Sequence, residues 1–463
     1  MNSRKMERAA AENSGRTVPV RDLLPRRPAV RRLVVQGWPE LGDLGDTVEM
    51  APGTDGAEGV DAVLWKSPAA LVDNETVSRA RDFLADGGRL VLALAEAVEK
   101  PAERAVIRAL SENGFVVVRE QAAASVEGVS GPVFVARRDP FRMRSFAGGD
   151  LEAIGALFTR SFHVQRQPEH WLWKYHQSPW GNRLISLAFD AKDELACHYA
   201  GYPMPMWRRG REILALQMGD TMTDPRYRNV GRGTTTLLAR TVRHFFSIHR
   251  GQKLGFYYGF NTGPIQRFCL WFIGGSRAEP VAYRSRNLAP ELAFKNRGDY
   301  RIERIIDLGR GIGPAFDRLF QRVAPSYGFL VRRDAAYVDW RYLRCPDPGY
   351  VLLAAWHFGD LVGWSVFRRH EDSLVWGDAL FLPRHARAAE AILGVASQDA
   401  SANGAARIDG WFPDRPTFWD AELERLDFEI LPEPQELGMV FLPDTIQPPL
   451  EELYYTKGDG DLF

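Results

Sequence analysis

The feature that most constrains the fold of this 463-residue chain is an internal repeat in its last two thirds. Two motifs each occur twice with the same internal spacing: Trp173-Lys-Tyr-x-x-x-Pro179 as Trp340-Arg-Tyr-x-x-x-Pro346, and Gly219-Asp220 with Pro225-Arg226 as Gly377-Asp378 with Pro383-Arg384. Between the two motifs the first copy is nine residues longer. Insertions of that kind belong in loops. We therefore predict two copies of one fold, over residues 140–298 and 299–463, related by duplication.

A glycine-spaced segment lies inside the first copy, between a predicted strand and a predicted helix. Residues 212–224 read as a strand, and apolar residues follow helical spacing over residues 237–248. Between them, Gly231 and Gly233 allow the backbone to approach a ligand closely, and the start of the helix directs N–H groups at negative charge. Three arginines lie nearby: Arg226, Arg228 and Arg232. The segment is typical of a pyrophosphate-binding loop, the alternative being an ordinary glycine helix cap.

The spacing Arg228-x-x-Gly231-x-Gly233 resembles the acyl-CoA loop of the GNAT N-acetyltransferases, normally Gln/Arg-x-x-Gly-x-Gly/Ala. The next predicted strand ends at Asn261, which matches the asparagine that often follows the fifth strand in that family. The resemblance implies an α/β fold with mixed α+β sheets and acetyl-CoA, or another acyl-CoA, as co-substrate. It implies these contacts with the co-substrate: Met222, Thr223, Arg228, Asn229, Val230, Gly231, Arg232, Gly233, Thr234, Asn261 and Phe268.

The second copy lacks the glycine-spaced segment. Ala389 and Ala391 stand opposite the two glycines, in a sequence that favours a continuous helix. We therefore predict that residues 140–298 form a GNAT domain with an acyl-CoA loop and that residues 299–463 form a degenerate GNAT-fold domain. The second copy would then serve in packing and as a wall of the acceptor pocket.

The N-terminal third of the chain reads differently. Residues 1–29 are predicted to form a flexible basic tail, and residues 30–139 alternate strands and helices as a small Rossmann-like α/β domain. The run that starts at Phe83 and reads Phe-Leu-Ala-Asp-Gly-Gly-Arg-Leu-Val-Leu resembles the later half of a class I methyltransferase domain. However, Gly37, Gly42 and Gly45 lack the Gly-x-Gly-x-x-Gly spacing of a nucleotide loop. A docking or scaffold role is therefore favoured over methyl-donor binding.

Acyl transfer from a thioester to an amine requires a deprotonated amine and a stabilised oxyanion. In the resembled family a backbone N–H of the fourth strand polarises the thioester carbonyl, which implicates residues 222–224. Asp220, on the strand that leads into the loop, is the candidate catalytic base. The recurrence of Gly219-Asp220 in the second copy favours instead a backbone-bonding role at a strand bulge. The alternatives for the base are Glu212, Tyr257, Tyr258 and a water chain.

The proton donor to the leaving thiol is less well defined. Seven residues after the motif asparagine the family frequently has a tyrosine, whereas this chain has Phe268. Cys269, next to it, is typical of a small core residue. Tyr258 or solvent could protonate the thiol instead. On the acceptor side, His163 is the candidate for substrate contact within the aromatic region of residues 162–176.

Composition excludes several functional classes. Because the net charge is zero, the sequence does not predict a basic surface for nucleic acid. It also contains no run of 18 apolar residues, which a membrane-spanning helix would require. Three widely spaced cysteines share no metal-binding spacing, so no metal is expected. The leading hypothesis is a cytoplasmic acyl-CoA-dependent N-acyltransferase that acts on the amine of a small molecule. The alternatives are an aminoacyl-tRNA-dependent ligase of tandem GNAT fold and a non-catalytic scaffold.

Overall fold

The computed structural model describes residues 33–36, 47–49, 60–121, 129–181, 184–231, 233–249, 254–288, 294, 298–347, 349–402, 404–461 and 463. The chain forms two compact units. The first unit contains residues up to 162 together with 185–199 and 222–250, and the second unit contains residues 163–184, 200–221 and 251–463. Within the described residues, no helix has the length and apolar character needed to cross a bilayer.

The helices of the described residues are α1 (Asn74–Phe83), α2 (Lys100–Glu112), α3 (Leu151–Phe162), α4 (Pro168–Tyr175), α5 (Leu237–His249), α6 (Gly263–Phe272), α7 (Gly309–Tyr327), α8 (Ala335–Val338), α9 (Ala388–Ala402) and α10 (Thr417–Arg425). The strands of the N-terminal region are β1 (Leu33–Gln36), β2 (Thr47–Glu49), β3 (Val60–Ser67), β4 (Leu84–Leu94), β5 (Phe115–Gln121) and β6 (Val133–Arg138). The strands that follow are β7 (Arg142–Ser145), β8 (Leu184–Phe189), β9 (Leu195–Arg208), β10 (Arg211–Thr223), β11 (Phe256–Asn261), β12 (Arg277–Pro280), β13 (Tyr283–Asn287), β14 (Arg301–Ile305), β15 (Phe329–Val331), β16 (Val351–His357), β17 (Asp360–His370), β18 (Ser373–Phe381), β19 (Arg407–Trp411), β20 (Glu429–Leu431), β21 (Gly438–Pro443) and β22 (Leu453–Tyr454).

The N-terminal region forms a six-stranded sheet with the order β2-β1-β3-β4-β6-β5. The first three pairings along this order are parallel, and β6 runs antiparallel to both β4 and β5. Its core contains Val63, Leu92 and Phe134, packed with apolar residues of α1 and α2. The glycines predicted to lack a nucleotide-loop spacing lie in residues 37–46, outside the described residues. The scaffold role of this region stays a prediction.

Two strands of the second unit exchange places between its sheets. β21 pairs antiparallel with β11 and with β12, so it lies in the sheet of the order β12-β21-β11-β10-β9-β15-β22. Conversely, β13 pairs antiparallel with β19 and β20 in the sheet of the order β14-β16-β17-β18-β19-β13-β20. The first sheet therefore contains three strands from beyond the predicted boundary at residue 298, namely β15, β21 and β22, and the second sheet contains one strand from before it, β13. The division of residues 140–463 into two tandem GNAT-fold domains therefore stays a prediction.

Each of these two sheets contains a parallel pair of strands in equivalent register. β10 pairs with β11 at Gln217↔Tyr258, and β18 pairs with β19 at Val375↔Asp409. In both cases the Gly-Asp motif follows two residues later, at Gly219 and at Gly377. The repeated sequence motif thus occupies the same place in both sheets, on the strand that continues beyond its parallel neighbour.

Candidate active site

The glycine-spaced loop follows β10 and lies in the first unit. Gly231 has φ of +79° and Gly233 has φ of +58°, a left-handed conformation that glycine adopts without steric cost. A Cβ atom added to Gly231 would lie 2.1 Å from the carbonyl oxygen of Thr235. The fold of the loop therefore requires glycine at residue 231. Arg232 lies outside the described residues.

The loop leads into α5 through a short 3-10 turn at Gly233–Thr235. The hydroxyl of Thr236 donates to the carbonyl oxygen of Gly233 at 3.0 Å and accepts from the backbone N–H of Ala239 at 3.2 Å. These two bonds fix the start of the helix against the loop. The positive end of the helix dipole thus lies at the loop, which suits a phosphate-bearing ligand.

Asp224 anchors the first part of the loop. Its buried carboxylate accepts hydrogen bonds from the Arg226 backbone N–H at 3.0 Å and from Arg160 Nε at 2.7 Å. Burial of Asp224 raises its pKa, but the hydrogen bonds from the two arginines have the larger combined effect and lower the pKa to about 2. Arg226 also pairs with Glu194 at 2.8 Å. Arg226 therefore stabilises the loop through Asp224 and Glu194, whereas the sequence predicted it among the cations around a ligand.

The side chain of Arg228, a predicted co-substrate contact, and the N–H of Asp224, within the region predicted to polarise the thioester, both bond to the local backbone. The guanidinium of Arg228 donates to the carbonyl oxygens of Thr223 and Ser161 at 3.2 and 3.1 Å. The N–H of Asp224 donates to the carbonyl oxygen of Ala196 at 2.9 Å. Within the region predicted to polarise the thioester, the N–H of Asp224 is therefore already engaged. The other predicted contacts in the loop are exposed or half-buried: Asn229, Val230 and Thr234.

Asp220 lies in the second unit, in a buried network of charges. Arg166 Nη1 donates to its Oδ1 at 2.7 Å, while Lys174 Nζ and the hydroxyl of Tyr175 each donate to its Oδ2 at 3.0 Å. The backbone N–H of Asp220 donates to Asp461, which also pairs with Lys174. Asp220 has φ of +47°, a left-handed backbone conformation, and the strand bulge that the sequence suggested stays a prediction. Its carboxylate is held between two cations, and its catalytic role stays a prediction.

The repeat partner of Asp220 has a similar environment. Asp378 Oδ2 accepts from the hydroxyl of Tyr342 at 2.6 Å, and its Oδ1 accepts from Arg333 Nε at 2.8 Å and from the hydroxyl of Thr456 at 2.9 Å. Arg333 also donates to Asp459 at 2.6 Å. The two repeated motifs therefore meet in space in each copy, as a tyrosine that donates to an aspartate.

The tryptophans of the repeated motif contact each other. The indole Nε1 of Trp173 donates to the carbonyl oxygen of Trp340 at 2.6 Å, and Nε1 of Trp340 donates back to Trp173 at 3.2 Å. Their rings stack with centroids 5.1 Å apart. This reciprocal contact explains, in structural terms, why both copies of the motif contain tryptophan.

Tyr258, the candidate proton donor, is buried beside the segment that contains Asp459. Its hydroxyl lies 3.5 Å from the carbonyl oxygen of Asp459. Burial, followed by the charge of Asp459, raises the pKa of Tyr258 well above its usual range. The phenol therefore stays protonated. Of the alternatives for the base, Tyr257 is buried and Glu212 pairs with Arg332 at 2.6 Å.

The other predicted residues are more exposed. Asn261 pairs through its backbone with Gly438 of β21, and Phe268 is half-buried with its ring 5.9 Å from Phe272. His163 is exposed and has φ of +60°. Burial raises the pKa of the Cys269 thiol to about 12, which suits the packing role predicted from the sequence.

A cluster that sequence spacing did not indicate could hold a metal ion. His170 Nδ1 lies 2.9 Å from Asp347 Oδ1, and Cys345 Sγ completes a group whose ligand atoms all lie within 4.8 Å of one another. The histidine comes from α4 and the other two from a turn near residue 346, 175 residues later in the chain, so no short motif links them. The expected absence of a metal stays a prediction.

Acidification is expected to destabilise the helix that follows the glycine loop. Burial lowers the pKa of His249, the last residue of α5, to about 4 from an ordinary 6.5. As the pH falls, His249 therefore binds a proton in the unfolded chain at a higher pH than in the folded chain. The free energy of unfolding is thus unaffected by this residue above pH 6.5 and decreases as the pH falls towards 4. The loss amounts to roughly 3 kcal/mol. Urea unfolding between pH 7 and 4 should show a flatter profile for His249→Phe, whereas the exposed control His176→Phe should follow the wild type.

Residues 142–268 match the model of the acetyltransferase (GNAT) domain. None of the curated proteins matches the chain in sequence. A solved structure from Enterococcus faecalis, described as a "Probable N-Acyltransferase", has a TM-score of 0.50 at 14% identity and covers 66% of this chain and 73% of its own. A GCN5-related N-acetyltransferase from Kribbella flavida has a TM-score of 0.46 at 14% identity, with 65% and 70% covered. N-myristoyltransferase from Saccharomyces cerevisiae with bound myristoyl-CoA has a TM-score of 0.47 at 10% identity, with 67% and 80% covered. The predicted mixed α/β fold is confirmed, and residues 142–268 correspond to a GNAT acetyltransferase domain.

Proposed function

We propose that this protein is an acyl-CoA-dependent N-acyltransferase with one co-substrate site per chain and acetyl-CoA as the first candidate donor. The observation that carries the proposal is the loop at Gly231, whose left-handed glycine leads into the start of α5. That loop lies within the segment that matches the GNAT domain model. Backbone N–H groups at such a helix start bind the charged pyrophosphate of a CoA ester without needing a dedicated side chain.

The proposal places the stabilisation of the oxyanion at the end of β10. Attack of an amine on the thioester carbon converts the carbonyl into an oxyanion, and a backbone N–H aimed at that oxygen stabilises the transition state. The N–H of Met222 or Thr223 would supply this bond, since the N–H of Asp224 is already engaged. The C–S bond then breaks, and the thiolate of CoA leaves.

Two proton transfers accompany this exchange in the proposal. The acceptor amine must lose a proton, and the candidate base is Asp220 on β10, whose carboxylate pairs with Arg166 at 2.7 Å and with Lys174 at 3.0 Å. The thiolate must gain a proton, either from Tyr258, whose raised pKa keeps the phenol protonated, or from solvent. His163, which is exposed and directly follows α3, is the candidate for contact with the acceptor.

Titration calorimetry with acetyl-CoA and with a longer acyl-CoA tests the donor. We expect one site per chain, because the residues opposite the two glycines in the second copy, Ala389 and Ala391, lie in the continuous helix α9. If both esters bind with the same affinity, the protein recognises the pyrophosphate and not the acyl chain. If one ester binds more tightly, the protein also distinguishes acyl chains by length. Two sites per chain, or none, would contradict the proposal.

Release of free CoA in the presence of a panel of small amines tests the acceptor. The expected result is thiol release that depends on one class of amine, with one acyl group transferred per thiol formed. Transfer to an aminoacylated RNA and no transfer to any free amine would favour a ligase instead. Binding of acyl-CoA without transfer to any acceptor would favour a scaffold.

A further inference from the structure

A histidine, a cysteine and an aspartate from two distant segments of the second unit lie close together. His170 lies in α4, while Cys345 and Asp347 lie in the irregular segment that follows the helical turn at Asp339–Leu343. Nδ1 of His170 is 2.9 Å from Oδ1 of Asp347, and the metal-binding atoms of all three side chains lie within 4.8 Å of one another. Among the residues that the structure describes, this is the one group of three or more such side chains that could share an ion.

The tryptophans of the repeated motif hold these two segments together. Trp173 and Trp340 exchange hydrogen bonds of 2.6 and 3.2 Å, and their rings stack with centroids 5.1 Å apart. Trp173 follows His170 by three residues in α4, and the edge of one ring contacts the other with centroids 5.2 Å apart. Trp340 precedes Cys345 by five residues. The packing of the repeat therefore positions the three side chains before any ion binds, which lowers the entropy cost of binding.

The chemistry of the group matches one metal in particular. An imidazole nitrogen, a thiolate sulfur and a carboxylate oxygen are the ligand types that Zn²⁺ binds in proteins. Bonds of about 2.0 to 2.3 Å in tetrahedral geometry place the ligand atoms roughly 3.3 to 3.7 Å apart. Atoms that already lie within 4.8 Å of one another reach that spacing by side-chain shifts of about 1 Å. Magnesium and calcium prefer oxygen ligands and are disfavoured by the thiolate.

Charge and exposure also suit an incoming cation. The side chain of Asp347 is 35% exposed and Cys345 is half-buried, so an ion can enter from solvent. Arg368 lies 3.8 Å from Oδ2 of Asp347, which leaves Oδ1 on the side of the histidine. A thiolate and a carboxylate balance the two charges of Zn²⁺, so the occupied group carries no net charge beside Arg368.

We propose that His170, Cys345 and Asp347 bind one Zn²⁺ per chain, with water in the fourth position. Binding releases the proton of the thiol, because the thiolate is the ligand. The ion links α4 to a segment 175 residues later in the chain and thereby stabilises the second unit. The sequence predicted no metal because ligands so far apart form no spacing motif. The proposal does not depend on acyl transfer, since none of the three residues belongs to β10, the glycine loop or α5.

Metal titration of the full-length, tag-free protein tests the site. After treatment with a chelator and dialysis, calorimetry should show one Zn²⁺ per chain with a Kd below about 10 µM. Cobalt(II) bound in its place should give the near-ultraviolet charge-transfer band of a thiolate ligand. Saturating zinc should raise the midpoint of thermal unfolding, because the ion binds the folded chain. A weaker Kd for zinc, or bound cobalt(II) without the thiolate band, would overturn the proposal.

Two variants test the ligands. Cys345→Ser removes the thiolate, so it should abolish the cobalt band and weaken zinc binding by at least about 100-fold, more than the loss of an outer hydrogen-bond partner. Asp347→Asn keeps the shape of the side chain without its charge and should weaken zinc binding at least about tenfold. The matched control is Cys269→Ala, which removes a thiol of α6 and should leave both the band and the zinc affinity unchanged.

Circular dichroism shows whether each variant is folded. A cobalt band that persists in Cys345→Ser would assign the thiolate to another cysteine and overturn the site. Should Cys345→Ser fail to fold, the zinc affinity of Asp347→Asn decides, because wild-type affinity in that folded variant would also overturn the proposal.

Discussion

Gly231→Val is expected to abolish acyl-CoA binding, with a loss of affinity of at least about 100-fold in titration calorimetry, equivalent to roughly 3 kcal/mol. Gly231 has φ of +79°, which a β-branched residue adopts only under strain. A Cβ atom would lie 2.1 Å from the carbonyl oxygen of Thr235, so the backbone at the start of α5 must move. The N–H groups that the proposed function assigns to the pyrophosphate move with it.

A glycine elsewhere in the chain provides the matched control. Gly359 has φ of +87° in the turn between β16 and β17, and an added Cβ there meets no heavy atom within 4 Å. Gly359→Val therefore introduces comparable backbone strain without a clash, and it should lower stability while leaving acyl-CoA affinity unchanged. Circular dichroism at the temperature of the titration shows whether Gly231→Val is folded. A folded Gly231→Val that binds acetyl-CoA as the wild type does would refute the assignment of the loop.

The glycine loop could be predicted from sequence because its signals are local. The spacing of Gly231 and Gly233 and the apolar stripe of α5 lie within 20 residues, and backbone conformation and helix formation respond to neighbours at that range. The roles of the arginines did not follow from the same signals. Arg226 pairs with Asp224 and Glu194, and the contact with Glu194 depends on the three-dimensional fold because the two residues are far apart in the sequence.

The exchange of strands could not be predicted from the repeat. The duplicated motifs indicated two copies of one fold, and the equivalent register of β10 with β11 and of β18 with β19 agrees with them. However, β13 and β21 are short, and nothing in their own residues specifies which strands they pair with. Strand pairing depends on contacts across more than 100 residues of sequence, such as Tyr258↔Phe441.

The environment of Asp220 combines a local and a non-local component. The bond from Tyr175 follows the repeated motifs, since Asp378 and Tyr342 form the same bond in the other copy, whereas the positive φ of Asp220 does not recur at Asp378. The charges differ between the copies: Asp220 lies between Arg166 and Lys174, whereas Asp378 pairs with Arg333. The repeat alone predicted a common structural role, and the difference in charged partners leaves room for a catalytic role in one copy.

Asp220→Asn is expected to lower turnover of acyl transfer by roughly 100-fold to 10,000-fold, the contribution of a positioned base. The amine acceptor is mostly ammonium at neutral pH, so the loss should shrink as the pH rises and more free amine is present. The substitution also removes a negative partner of Arg166 and of Lys174, the latter of which also pairs with Asp461. Breaking a buried pair costs about 3 to 5 kcal/mol of stability. Turnover must therefore be expressed per acetyl-CoA site counted by calorimetry, so that unfolded molecules do not contribute.

The control for this experiment is Asp378→Asn, which removes the same carboxylate from the other copy. Asp378 is fully buried and pairs with Arg333, so its loss should lower the free energy of unfolding to a similar extent. Turnover per acetyl-CoA site should stay at the wild-type value, with an unchanged pH profile. If the two variants lose stability alike and neither changes turnover per site, Asp220 is a structural residue of its strand. The base would then be sought at Glu212, at Tyr258 or in bound water, which are the alternatives that the sequence leaves open.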